Sequence, residues 1–223
     1  FIAALNKPKP KALPMMEVIV THFKPFFLGM LICMAGYVLF YIMIAFSQIY
    51  AKSAPTVSEA GYAMGLGFSP QIFTALLMFS AVSLAITITI SGKYIDKVGR
   101  RIWLIWTTVG VALFGLVVPY FLENGTTVSL FWFLIIGMGL IGMGYGPLAS
   151  FLPELFPTHA RYSGASLTYN IAGLFGASVA AIIALPLNAN YGLKGVGIYL
   201  TLNAVLSLIG LWFITETRDR QLL

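Results

Sequence analysis

Six stretches without a single Asp, Glu, Lys, Arg or His, at 25–51, 60–92, 102–122, 124–153, 162–193 and 195–215, constrain this chain more than any other feature. The shortest holds 21 residues. A helix of that length reaches ~31 Å at ~1.5 Å per residue, enough for a hydrocarbon core of ~30 Å. With 59% hydrophobic and only 9% charged residues, and a mean hydropathy of +0.91, the chain is far more apolar than a soluble domain, where about a quarter of residues are charged. These features predict an all-α integral membrane protein. The expected spans are 26–51, 70–92, 102–122, 128–152, 162–187 and 195–215, after a linker at 1–25 and before a tail at 216–223. An even number of spans puts both ends on one side.

The basic residues choose that side. Eleven of the 13 Lys and Arg fall on the face that carries the termini, and only Lys52 and Lys194 fall on the other. Basic residues in short loops resist translocation, so the crowded face is expected to be cytoplasmic. The net charge of +6 is then the sum of this bias and needs no nucleic-acid partner. Cys33 is the only cysteine and lies within the first span, so the sequence offers no disulfide framework and no cysteine metal site. No metal and no cofactor is expected. The chain opens on Phe1, and residues 1–25 do not have a signal-peptide pattern. The basic, proline-interrupted segment Lys7-Pro8-Lys9-Pro10-Lys11 reads as a semi-rigid linker, as if the chain were the C-terminal part of something longer. Met15 to Lys24 reads equally well as a short interfacial helix or as disordered linker.

Two connections are more than loops. Gly92-Lys93-Tyr94-Ile95-Asp96-Lys97-Val98-Gly99-Arg100-Arg101 holds five of the twenty charges. Gly99 permits a tight turn, and Asp96 is placed to accept hydrogen bonds or to face a helix N-terminus. The spacing G-x-x-x-D-[RK]-x-G-R-[RK] resembles the signature loop of the major facilitator superfamily of transporters. A second stretch, Pro153-Glu154-Leu155-Phe156-Pro157-Thr158-His159-Ala160-Arg161-Tyr162-Ser163-Gly164-Ala165-Ser166, resembles the loop before the eleventh helix in the metabolite:proton symporter branch of that superfamily, and more loosely the sugar porters. Thr215-Glu216-Thr217-Arg218 is similar to the ending of its last helix. The resemblance covers essentially all 223 residues as the second six-helix half of a twelve-helix fold.

That resemblance implies a secondary active transporter of the bacterial inner membrane, driven by the proton gradient. Its partners would be a small-molecule substrate, the proton, the lipid bilayer and the N-terminal six-helix half. The implied substrates are small organic acids such as dicarboxylates, citrate or shikimate, and zwitterions such as betaine or proline. A sugar-porter-like uniporter or symporter, or a non-transporting nutrient sensor on the same fold, is the alternative. An intramembrane enzyme is disfavoured because Ser166 lacks a partner base, and a channel because no pore ring or filter motif is present.

Alternating access needs a reversible closure of the cytoplasmic side, for which Gly92, Asp96, Gly99, Arg100, Arg101, Glu154, Arg161 and Glu216 are the candidates. Arg100 or Arg101 is expected to pair with Glu154 and with Glu216, while Asp96 meets a helix terminus of the other half. Tyr37, Tyr41, Trp132, Tyr145 and Asn170 are the candidate substrate contacts near the midplane. Tyr37 and Tyr41 share a helical face and either line a cavity or bond a neighbouring helix. Asn170 has the same two readings. Gly137, Gly139, Gly142, Gly144, Gly146 and Pro147 make the fourth span either a close-packing surface or a bending gate. No span interior holds an ionisable side chain of the kind a proton relay uses, so the titrating group is expected in the other half.

Overall fold

A computed structural model describes residues 14–216. The basic linker at 7–11 and the tail arginines Arg218 and Arg220 lie outside the described residues. Six helices follow in order: α1 Pro14–Thr21, α2 Phe23–Lys52, α3 Pro70–Val98, α4 Arg100–Glu123, α5 Thr127–Glu154 and α6 Arg161–Phe213. Helices α2 to α6 are each long and apolar enough to cross a membrane. Among the described residues the only extended pairing is a single bridge between Val57 and Ala63. Helix α6 is interrupted at Gly192, whose backbone (φ 66°, ψ −170°) separates one arm at 161–191 from another at 193–213.

The helix ends follow local chemistry. Ser69 caps α3 through Ile72 N–H, with Pro70 at the first helical position, and Thr126 caps α5 through Ser129 N–H. Helix α3 continues through Lys93, Asp96 and Lys97, which are compatible with helix once outside the apolar layer. It stops at Gly99, whose φ of +102° only glycine adopts without strain. The turn and the charges around it thus sit at one end of the bundle, together with the start of α2, the end of α5 and the start of α6.

Helix α2 is the centre. It lies against both arms of α6 and against α5, and Val38, Leu39, Ile42, Met43 and Phe46 are fully buried. It opens into a π-helical turn at Ile42–Phe46, and α6 does the same at Leu174–Ser178, which packs on α2. Ser207 on the second arm of α6 enters the α2 hydrogen-bond ladder. Its hydroxyl donates to Leu31 C=O at 2.6 Å and accepts from Ala35 N–H at 3.0 Å, standing between two groups four residues apart.

Small residues set the remaining distances. Gly139, Gly142 and Gly146 of α5 face Ser83, Thr87 and Ser91 of α3, and a Cβ on Gly142 would lie 2.1 Å from Thr87 Oγ1 and 2.6 Å from Leu84 O. Thr87 and Ser91 donate to carbonyls of their own turn, whereas Ser83 donates across the seam to Ile135 C=O at 3.0 Å. Gly115 of α4 meets Gly197 and Thr201 of α6 as closely. The contacts of these α5 glycines are those of a close-packed seam.

At the opposite end the 53–69 loop covers the α6 break. Ser58 Oγ donates to Ala189 C=O at 2.7 Å, Asn188 Nδ2 donates to Ala63 C=O at 3.0 Å, and the Tyr62 ring lies against Gly192.

Gly142→Val should destabilise the fold by about 1–3 kcal/mol through overpacking against α3, read as a lower melting temperature in detergent. Gly144→Ala, whose Cβ would meet only Thr107 Cγ2 at 3.6 Å, should leave it unchanged or slightly raised.

Candidate functional site

The charged end is built from helix termini. Gly99 turns the chain so that the first N–H groups of α4 point at the residue just past α6. There Glu216 accepts from Arg100 N–H (Oε1, 3.1 Å) and Arg101 N–H (Oε2, 3.1 Å). A carboxylate at a helix N-terminus satisfies orphan donors and meets the positive end of the helix dipole. Arg101 does the converse: its Nε donates to Leu211 C=O at 2.7 Å and its Nη2 to Trp212 C=O at 3.1 Å, at the C-terminal end of α6. The start of α4 and the end of α6 therefore cap one another.

Arg100 points the other way. Its Nη2 lies 3.1 Å from Glu154 Oε1 and 3.6 Å from Asp96 Oδ1, and its Nε donates to Ser150 Oγ at 3.3 Å. The Arg100 and Glu154 side chains are only 17% and 15% exposed, whereas Asp96 is 75% exposed. The ion pair expected for either arginine is made by Arg100, and Glu216 reaches the backbone of both. Gly92 and Asp96, four apart, lie on the exposed face of α3, and a Cβ at Gly92 would meet open space. Arg161 begins α6, and its Nε is buried without a hydrogen-bond partner among the described residues.

Deeper in the bundle is a cavity of about 310 Å³ between α2, α3, α4, α5 and the first arm of α6. Tyr37, Tyr145 and Tyr169 line it together with Thr107, Thr108 and Cys33, and the rest of its wall is apolar. The Tyr37 and Tyr169 rings lie 5.0 Å apart at 48°, and Tyr145 lines the same cavity with them. Tyr37 fits because Gly173 and Gly176 carry no side chain: a Cβ there would lie 3.1 Å and 2.7 Å from it. A second cavity of about 240 Å³ shares Tyr145 and Tyr169 and runs toward Pro153 at the charged end.

The other candidates stand apart from this cluster. Tyr41 donates to Ala181 C=O at 3.3 Å. Asn170 is exposed and bonds back to Ser166 C=O at 2.8 Å. Trp132 is 51% exposed and lies thirteen residues before Tyr145 on α5, ~20 Å along the axis. Tyr169 is the cavity residue that sequence reasoning passed over in favour of its neighbour Asn170. Its signal was the Tyr169, Gly173, Gly176 series, a ring followed on one helical face by room for a second ring.

A multi-pass membrane bundle with a charged, mutually capped end and a hydroxyl-lined interior cavity has the form of a membrane transport protein. A family model described as sugar (and other) transporter matches residues 62–223, and the chain belongs to this family of the major facilitator superfamily. It is 89% identical over 222 residues to a Haemophilus influenzae Rd protein provisionally named a metabolite transport protein, covering 100% of this chain and 50% of that one. It is 37% identical over 215 residues to the inner membrane metabolite transport protein YhjE of Escherichia coli K12, covering 96% and 47%. It is 24% identical over 208 residues to the glycine betaine/proline/ectoine/pipecolic acid transporter OusA of Dickeya dadantii, covering 92% and 39%. The chain thus spans about half the length of the first two of these relatives. No solved structure matches the chain.

Exchanging the charges of the Arg100–Glu154 pair tests its role. In the complete transporter, Arg100→Glu or Glu154→Arg alone should each lower uptake at least fivefold, and the double exchange should restore part of it. Glu216→Ala should remove the α4 cap and lower stability by about 0.5–2 kcal/mol, measured as a fall in melting temperature.

Proposed function

We propose that this chain is the C-terminal six-span half of a proton-coupled symporter of the bacterial inner membrane, with both ends cytoplasmic. The transported molecule would be a small organic acid or zwitterion, moved by alternating access. The two arms of α6 supply the fifth and sixth spans, reaching ~46 Å and ~31 Å as helices. The substrate lies where the hydroxyl-lined cavity of this half meets the N-terminal half, and the charged end is the closure on the cytoplasmic side.

The observation that carries this reading is the uncharged cavity of Tyr37, Tyr145 and Tyr169. Three phenols offer donors, acceptors and aromatic faces to a small polar solute. With no ionisable carboxylate or imidazole in that wall, the proton-binding group belongs to the N-terminal half. The names of the relatives, which include metabolite transport and betaine and proline transport, support this class of substrate. The description of the matching family favours a second reading, a sugar-porter-like carrier.

The test is proton entry into proteoliposomes that hold the complete two-half protein and an internal pH dye, with organic acids and betaines added singly. Acidification that depends on one compound and disappears with an uncoupler is the expected result. Labelled uptake without proton entry would make the protein a uniporter or exchanger, and absence of uptake for every compound would favour a sensor. Tyr169→Phe should raise KM about tenfold, the loss of one buried hydrogen bond of ~1.5 kcal/mol, with little change in the melting temperature.

A further inference from the structure

We propose that Glu17, His22 and His159 form a binding site for a divalent transition-metal ion of the zinc class, joining the leading helix α1 to the loop between α5 and α6. One ligand atom from each of the three lies within 4.8 Å of the others. His159 Nε2 is 3.1 Å from Glu17 Oε1, and the His22 and His159 rings have centroids 6.0 Å apart at 54°, tilted rather than stacked. A tetrahedral ion with ligands at ~2.0–2.1 Å holds its donor atoms ~3.3 Å apart, so the Glu17–His159 edge already has the required length. The hydrogen bond between those two residues accounts for that edge alone. It gives no reason for a second imidazole, from a different element, to converge on the same point.

The donor set selects the ion. Two imidazole nitrogens and one carboxylate oxygen suit zinc and its neighbours, whereas calcium and magnesium prefer all-oxygen shells. The ligands also sit on a fixed frame. Val18, next to Glu17, is fully buried in an apolar cluster with Phe26, Phe156 and Ala160, which flanks His159. His22 occupies the bend between α1 and α2 (φ −119°, ψ 34°). Glu17 and His22 are half-buried and His159 is exposed, which leaves the ion a solvent route and a coordination position for water.

His159 lies five residues beyond Glu154, the partner of Arg100, on the segment that leads into α6. An ion held here ties α1 to the charged end of the bundle.

The test uses the full chain purified without a polyhistidine tag, stripped with chelator and titrated with Zn2+ against a chromophoric chelator. One saturable Zn2+ per chain is expected, weakened at least ~10-fold, the size of effect even an outer-shell change produces, in each of Glu17→Gln, His22→Gln and His159→Gln. His159→Cys should retain the ion and, with Co2+ as probe, add a thiolate-to-metal charge-transfer band. That band arises only if residue 159 is a ligand. Absence of saturable Zn2+ binding by the unmodified chain, binding that survives all three substitutions, or a Cys variant that binds Co2+ without the band would each overturn the assignment. None of these readouts depends on transport.

Discussion

Hydrocarbon gives helices no hydrophobic reason to associate, so this bundle depends on how closely backbones approach at small residues. Gly142 against Leu84, Gly115 against Gly197, and Gly176 against Tyr37 are among the places where a single methyl group has no room. Each contact sets a separation between two elements. Those separations in turn decide where a cavity is left between α2, α3, α4, α5 and α6. The tyrosine cluster is a product of glycine spacing: Tyr37 is held by two absent side chains on α6 as much as by the ring of Tyr169.

The charged end follows a different rule. Arg101 and Glu216 exchange roles across two helix termini, each satisfying backbone groups that the other helix leaves orphaned. Arg100, shielded beside Glu154, leans on α5 instead. One arginine therefore holds the α4–α6 seam, and its neighbour reports on the position of α5. The adjacent pair Arg100-Arg101 serves two interfaces that need not open together.

Helix class was legible in the sequence because charge is excluded from lipid and the gaps between charges have a fixed minimum length, and five helices are long and apolar enough to cross a membrane. The Gly99 turn was legible because only glycine tolerates that backbone. What was not legible depended on direction around a helix. Tyr169 and Asn170 are adjacent in sequence but about 100° apart on the cylinder, and only the position of α2 shows which of them meets the cavity. Arg100 and Arg101 are separated in the same way. The Gly192 break falls inside the 188–194 interval left between the last two expected spans, but helix runs up to it on both sides, so the connection is one residue rather than seven. Glu17, His22 and His159 form no motif together, since their proximity comes from the bend between α1 and α2.

Ser207 gives the α2–α6 seam an unusual mechanical character. Its hydroxyl occupies the gap between Leu31 C=O and Ala35 N–H, two groups with the separation of ordinary helical partners. If the second arm of α6 slides away, those two groups can bond one another, and the serine can turn to a carbonyl of its own preceding turn. Every polar group is satisfied before and after the displacement. In lipid, where each unsatisfied polar group is costly, a seam built this way would offer little polar resistance to such a shift.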